Sequence, residues 1–255
     1  MGLERFEIKS ADGYILSCIC FIPAAEPKFQ LVVAHGFRGR KENSGRINVL
    51  AQRVGDLGGI LWAFDFAGSG ESEGAFADMT LSRQARDLTA VIERAVRQYT
   101  IPLFVLGRSF GGSTAIAACS GDPRVDGLIL WSTPVLLEAT FARIMPNTMK
   151  RLLGGDPVIV QDGPDIYTLG SAFAMDFAEH NFVQYLRWIH QPVLVVQGIA
   201  DTTVLVENSA VIEQNAGGPV ELHLIEGADH RFTNCISYRE DLTLDWLKNK
   251  MKAKE

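Results

Sequence analysis

Apolar positions along the chain fall into two periods, and the periods alternate. Short, near-continuous apolar runs occur at LVVAHG (31–36), GILWAFDF (59–66), PLFVLG (102–107), GLILWS (127–132), PVLVVQG (192–198) and VELHLIEG (220–227). Runs of that length with little polar alternation predict strands buried on both faces, as in a parallel sheet. Two further runs, RFEIKS (5–10) and YILSCICFIP (14–23), flank the turn ADG (11–13) and predict an antiparallel hairpin. Between the runs the spacing changes. In TLSRQARDLTAVIERAVRQY (80–99), Leu81, Ala85, Leu88, Ile92 and Val96 form one stripe at helical period, with Thr80 as N-cap. SGRINVLAQRVGDLGG (44–59) and NSAVIEQNAGG (208–218) read as helices stopped by glycine pairs. The last stretch, REDLTLDWLKNKMKAKE, runs from acidic to basic, the order a helix dipole favours.

Strand and helix in alternation predict an α/β fold with right-handed crossovers. One interval breaks the rhythm. Residues 134–190 are far more than a single crossover helix needs, and they carry Phe141, Met145, Met149, Tyr167, Phe173, Met175, Phe177, Phe182, Tyr185 and Trp188. Val158–Val160 predicts a short strand there, followed by the turn QDGPD (161–165). The chain therefore divides into an α/β core, 1–133 with 191–255, and an inserted lid, 134–190, over the strand ends.

Ligands of open α/β sheets bind beyond the carboxyl ends of the strands. The residues just past those ends are His35-Gly36-Phe37, Asp65, Ser109, Asp201 and His230. Gly107-Arg108-Ser109-Phe110-Gly111 fits G-x-S-x-G between a strand and the small-residue helix GGSTAIAACSG, the setting of a nucleophile elbow. A serine hydroxyl needs a base, and the base needs an orienting acid. His230, in LIEGADHRF, is the expected base. Asp201, in VVQGIADTTV, is the expected acid, ahead of Glu226 and Asp229, which lie too close to His230 in sequence to fold back onto its ring. A tetrahedral intermediate also needs preorganised backbone N–H groups, and Phe110 and Phe37 are placed to supply them. Asp65 reads as structural, and Arg38 and Arg108 as ion-paired or solvated or, as the alternative, as facing an acidic acyl group.

Composition mainly excludes. The 255 residues are 47% apolar and 21% charged, with a net charge of −6. That suits a globular protein and argues against nucleic acid as a partner. No apolar run reaches the ~18 residues that span a bilayer. Cys18, Cys20, Cys119 and Cys235 have no metal-ligand spacing and read as free thiols in a reducing compartment. With no signal-like apolar stretch near the N-terminus, a cytoplasmic location is expected. No metal or cofactor is expected. A homodimer through the sheet edge or the inserted segment stays open.

Taken in order, HGFRG, DFAGSGESEG, GRSFGG, GIADTTV and GADHRF resemble the α/β-hydrolase superfamily over nearly the whole chain. Within it, FDFAGSGESEGAFADMT (64–80) and HLIEGADHRF (223–232) are most similar to small bacterial cinnamoyl (feruloyl) esterases and related carboxylesterases. The resemblance implies an eight-stranded sheet, a lid inserted after the sixth strand, a triad of Ser109, Asp201 and His230, and Phe37 and Phe110 as oxyanion donors. It implies Phe141 and Phe173 as substrate-binding residues, at positions where those esterases carry polar groups. Arg108 and Phe110 also depart from the His and Gln usual there. The expected activity is a serine carboxylesterase acting on small to medium esters, hydroxycinnamates among them. A thioesterase, monoacylglycerol lipase, peptidase or carbon–carbon hydrolase would use the same triad, and a non-catalytic binding protein could share the fold.

Overall fold

Two antiparallel strands begin the sheet, because the ADG turn lets them. The structure, a computed structural model, describes residues 1–162 and 165–253. Strands β1 (Gly2–Lys9) and β2 (Ile15–Ile22) pair in register across that turn. Gly13 takes φ 90° there, a left-handed conformation open to glycine, and its N–H donates to Ser10 O. The chain then alternates strand and helix: β3 (Phe29–Ala34), α1 (Arg46–Asp56), β4 (Gly59–Phe64), α2 (Leu81–Gln98), β5 (Leu103–Arg108), α3 (Phe110–Cys119) and β6 (Gly127–Trp131). The long interval follows as α4 (Leu137–Ile144), α5 (Pro146–Leu153), β7 (Val158–Asp162), β8 (Asp165–Leu169), α6 (Ala172–Met175) and α7 (Phe182–Arg187). The core resumes with β9 (Val193–Gly198), α8 (Glu207–Asn215), β10 (Val220–Ile225) and α9 (Ile236–Lys252).

Eight strands form one sheet in the order β1-β2-β4-β3-β5-β6-β9-β10, and β7 and β8 form a separate antiparallel pair. From β4 to β10 all neighbours are parallel. From β3 the chain steps to one side to make β4, then crosses to the other side to make β5. That reversal between β3 and β5 is a topological switch point, where the loops past the two strands part and leave a crevice.

Alternate residues of each central strand serve opposite faces. On β5, Leu103 and Val105 join the core with residues of α2 and α3, while Phe104 and Leu106 join the core with residues of α1 and α9. The edge strand β10 departs from the two-faced burial its apolar run predicts: only Ile225 is buried, and His223 bonds Glu221 on the surface. In α2, Thr80 caps as expected, accepting Arg83 N–H at 3.0 Å. The buried face, however, includes Gln84 and Asp87, while Ala85 and Val96 of the expected stripe are half-buried. Both polar groups have partners distant in sequence. Gln84 Oε1 accepts from Thr114 Oγ1, and Asp87 Oδ2 accepts from Ala67 N–H.

The segment between β6 and β9 packs into the first of these cores. Phe141, Leu152, Leu169, Phe173, Phe177 and Leu186 are buried with residues of α2 and α3. The strand expected at Val158–Val160 lies within β7, and the centre of the expected QDGPD turn, residues 163 and 164, lies outside the described residues.

Candidate active site

Ser109 sits between β5 and α3 with φ 52°, a left-handed conformation that a serine adopts only under constraint. The constraint comes from its neighbours. A Cβ on Gly107 would strike the Gly112 backbone, and one on Gly111 would strike the carbonyls of Ala34 and His35. The strand, the helix and the β3 loop can close on the serine only because these positions lack side chains. The hydroxyl is thereby pushed out of the turn, and Phe110 contributes the first amide of α3, with no intrahelical acceptor.

Two distant loops complete the arrangement. Past β10, His230 Nε2 lies 3.1 Å from Ser109 Oγ. Past β9, Asp201 Oδ2 lies 2.8 Å from His230 Nδ1. Asp201 is buried, and its other oxygen accepts Thr203 and Val204 N–H, both at 2.8 Å. Burial alone would raise its pKa. The His230 hydrogen bond and charge, with those amides, outweigh burial and hold it below the usual carboxylate value. An ionised Asp201 only accepts, so Nδ1 carries the imidazole proton and Nε2 is left to accept from the serine. Asp229 faces its own turn, where it accepts Arg231 and Thr233 N–H.

The HGFRG loop lies against the elbow: a Cβ on Gly36 would sit 3.0 Å from Arg108 O and 3.2 Å from Ser109 Cβ. His35 holds this loop. Burial lowers its pKa, so the ring is neutral, with Nδ1 bonded to Gly36 O at 2.9 Å and Nε2 accepting Phe66 N–H at 3.3 Å. Beneath it, Asp65 accepts Lys41 N–H at 2.7 Å and pairs with Lys41 Nζ at 2.6 Å, both side chains wholly buried. Asp65 is structural in position, as its sequence context suggested.

Ser109 and His230 line a cavity of about 1050 Å³. Phe37, Phe141, Ile144, Met145 and Tyr167 make an apolar part of its wall. Phe173 is not in that wall. It is wholly buried behind it, 5.4 Å from Phe37 and 5.0 Å from Phe141 between ring centroids, in a cluster completed by Phe110 and Phe177. Its role is to back the wall, which sequence spacing alone does not reveal. Arg108 also lines the cavity and donates to Asn43 Oδ1 at 3.1 Å. The reading of the strand ends missed four further lining cations, Arg40, Arg46, Arg231 and Arg239. Arg231 could have been noticed for directly following His230; Arg239, within a helix, carries no local signal.

A second serine, histidine and aspartate meet where α2 touches the interval between β6 and β9. Ser82 Oγ donates to Asp176 Oδ1 at 2.6 Å, His180 Nε2 lies 3.0 Å from both Ser82 Oγ and Asp176 Oδ2, and His180 Nδ1 faces the Tyr185 hydroxyl at 3.1 Å. Among the described residues, no group of three or more His, Cys, Asp or Glu could hold a metal ion, and no helix is long and apolar enough to cross a membrane.

Comparison with known proteins gives the chain its family and its fold. Residues 25–161 match the family described as serine aminopeptidase, S33. Monoglyceride lipase of Rattus norvegicus is 32% identical over 149 residues, 56% of this chain and 48% of that protein, so the chain spans about half the length of this relative. Monoacylglycerol lipase of Mycolicibacterium smegmatis is 26% identical over 239 residues, 83% of this chain and 84% of that protein. Est1E of Butyrivibrio proteoclasticus, solved with ferulic acid bound, superposes with a TM-score of 0.81 at 19% identity, over 97% of this chain and 99% of that one, and shares the α/β-hydrolase fold.

Proposed function

We propose, from the premise that the chain belongs to the serine aminopeptidase, S33, family of hydrolases, that it is a serine carboxylesterase acting on small to medium esters. One observation carries the reading: a strained serine in a cavity wall, bonded to a histidine that is bonded in turn to a buried aspartate. Ser109 Oγ attacks the ester carbonyl as His230 Nε2 takes its proton. Asp201 keeps the proton on Nδ1 and stabilises the imidazolium. The N–H groups of Phe37 and Phe110 hold the developing oxyanion. His230 then protonates the departing alcohol, and water, activated by the same ring, cleaves the acyl-enzyme.

The Phe37 and Phe141 wall suits an apolar chain on the ester, and residues 134–190 act as the lid that supplies half of it. The names of the relatives favour glycerol monoesters within the class. A hydroxycinnamate would find the apolar Phe141 where its phenol needs a hydrogen-bond partner. The buried thiols of Cys18, Cys20 and Cys119 are consistent with a reducing, cytoplasmic setting.

The test is initial rates on 4-nitrophenyl esters from acetate to decanoate, with Ser109→Ala beside the wild type. Hydrolysis that peaks at short or medium chains and vanishes in the variant is expected. Folded wild-type protein that hydrolyses none of them would overturn the ester reading in favour of an amide or carbon–carbon bond.

A further inference from the structure

The cavity holds a group of cations that ester hydrolysis by itself does not use. Arg108 directly precedes Ser109 and Arg231 directly follows His230, so an arginine stands next in sequence to each of the two residues proposed to react, and both arginines line the cavity. Arg239, from the first turns of α9, lines the same cavity. Carboxylates are scarce around them. Among the described residues, neither Arg108 nor Arg231 has a carboxylate oxygen within 4.0 Å of its guanidinium. For Arg239 the nearest carboxylate is Glu240 at 3.7 Å, and Glu240 also serves Arg46 at 3.4 Å and Arg53 at 3.1 Å. The other acids in the wall are committed or separate: Glu42 and Glu71 pair with Lys41, and Asp165 bonds Tyr167.

The cluster is held in place at a cost. Arg239 is 4% exposed, stacked 3.7 Å over the Trp131 ring, and its Nε has no hydrogen-bond partner among the described residues. Burial, then the nearby Arg108, push its pKa down to about 9. Burial and Arg231 lower that of Arg108. Guanidiniums stay charged at neutral pH, so the folded chain keeps like charges together with a single carboxylate, Glu240, which Arg46 and Arg53 share, within 4.0 Å among the described residues. The N-terminal end of α9 adds partial positive charge, for Cys235 provides no side-chain cap and no acid stands in the first turn.

We propose that Arg108, Arg231 and Arg239 form a subsite for an anionic group on the substrate, a carboxylate or phosphate carried by the acyl or alcohol part. The proposal rests on the ester-hydrolase reading and deepens it: the preferred substrate is an anionic ester with an apolar portion, rather than a neutral one. A compact oxyanion accepts several charge-assisted hydrogen bonds from guanidiniums in this setting and relieves their mutual repulsion. Arg231, exposed on a loop, is the residue to change, because its replacement leaves the packed Arg239 and the Asn43 bond of Arg108 in place.

The experiment compares matched esters. One pair is 4-nitrophenyl hexanoate and the mono-4-nitrophenyl ester of adipate; the other is monobutyrin and its glycerol phosphate counterpart. In the wild type the anion of at least one pair is expected to show kcat/KM about tenfold above its neutral partner, and which pair does so separates carboxylate from phosphate. Arg231→Gln is expected to bring that ratio towards one while Tm holds or rises, a combination that a purely structural arginine would not give. Equal or better turnover of both neutral partners by the wild type overturns the subsite and leaves the esterase reading standing. If no ester turns over, the esterase reading has failed, and the subsite is decided by binding: adipate and glycerol phosphate must raise the Tm of the wild type more than that of Arg231→Gln, or it fails as well.

Discussion

Two regions of this molecule bring together a serine, a histidine and an aspartate, and they are built differently. At the cavity, His230 lies between its partners, Asp201 at Nδ1 and Ser109 at Nε2. A proton can pass from hydroxyl to ring while the carboxylate stays ionised. At α2, Ser82 and Asp176 both crowd Nε2 of His180, and the Ser82 hydroxyl donates its hydrogen bond directly to the carboxylate. That closed triangle leaves the hydroxyl with no base of its own, and Ser82 caps no strained turn. It fastens α2 to the segment between β6 and β9. Residue types are the same; the order of contact around the imidazole differs, and under the proposed mechanism that order separates a reacting group from a clamp.

Substitutions can break this contrast. The largest effect is expected at the cavity: Ser109→Ala should lower kcat/KM on a 4-nitrophenyl ester by about a millionfold, and Asp201→Asn by about ten-thousandfold, with circular dichroism unchanged. Next comes a buried pair that supports the site without reacting. Asp65→Ala would leave the Lys41 ammonium buried without its main partner, and urea unfolding should show a loss of about 3–5 kcal/mol.

A third buried aspartate sharpens the comparison through pH. Burial would raise the pKa of Asp176, but its His180 and Ser82 hydrogen bonds hold it below the ordinary value, as the partners of Asp201 do there. Each contributes stability that is present above the unfolded carboxylate pKa and is lost as pH falls through the folded one. Asp87 is the reverse. It is wholly buried, Oδ1 has no partner among the described residues, and burial raises its pKa from 3.8 to about 6. Its cost to stability is therefore full above pH 6 and disappears below the unfolded value. Asp87→Asn should stabilise the fold by about 2 kcal/mol at pH 8 and leave it unchanged near pH 3.5, as thermal or urea unfolding at the two pH values would show. The smallest effect belongs to the clamp: Ser82→Ala should cost about 1 kcal/mol in unfolding and leave ester turnover within twofold. A large loss of turnover there would erase the distinction between the two groups.

Local pattern made much of this legible. All eight strands of the main sheet lie within a few residues of their apolar runs, because each run is bounded by glycine, proline or charge. Ser109, Asp201 and His230 stood out because the fold sends strand ends to one edge, so three positions far apart in sequence could be read as neighbours. What stayed hidden depends on partners distant in sequence. Gln84 and Asp87 interrupt the polar-outside rule of α2 because Thr114 and the Ala67 amide wait for them inside. Phe173 looks like any apolar residue of a long insertion until Phe37 and Phe141 are seen in front of it. Arg108, Arg231 and Arg239 become a group only when α9 is laid beside the elbow.

The phenylalanine cluster has a consequence for ancestry and engineering. Phe37 belongs to the HGFRG loop, Phe110 to the elbow helix, and Phe141, Phe173 and Phe177 to the inserted interval, yet the five rings form one connected cluster. Along the chain the interval looks like a cartridge that could be exchanged between relatives to transplant specificity. In space its rings are the reverse side of the reaction chamber's own floor. A chimera that swaps residues 134–190 inherits a new roof together with a floor moulded to the old one, so specificity and the machinery of catalysis would have to be exchanged as one part.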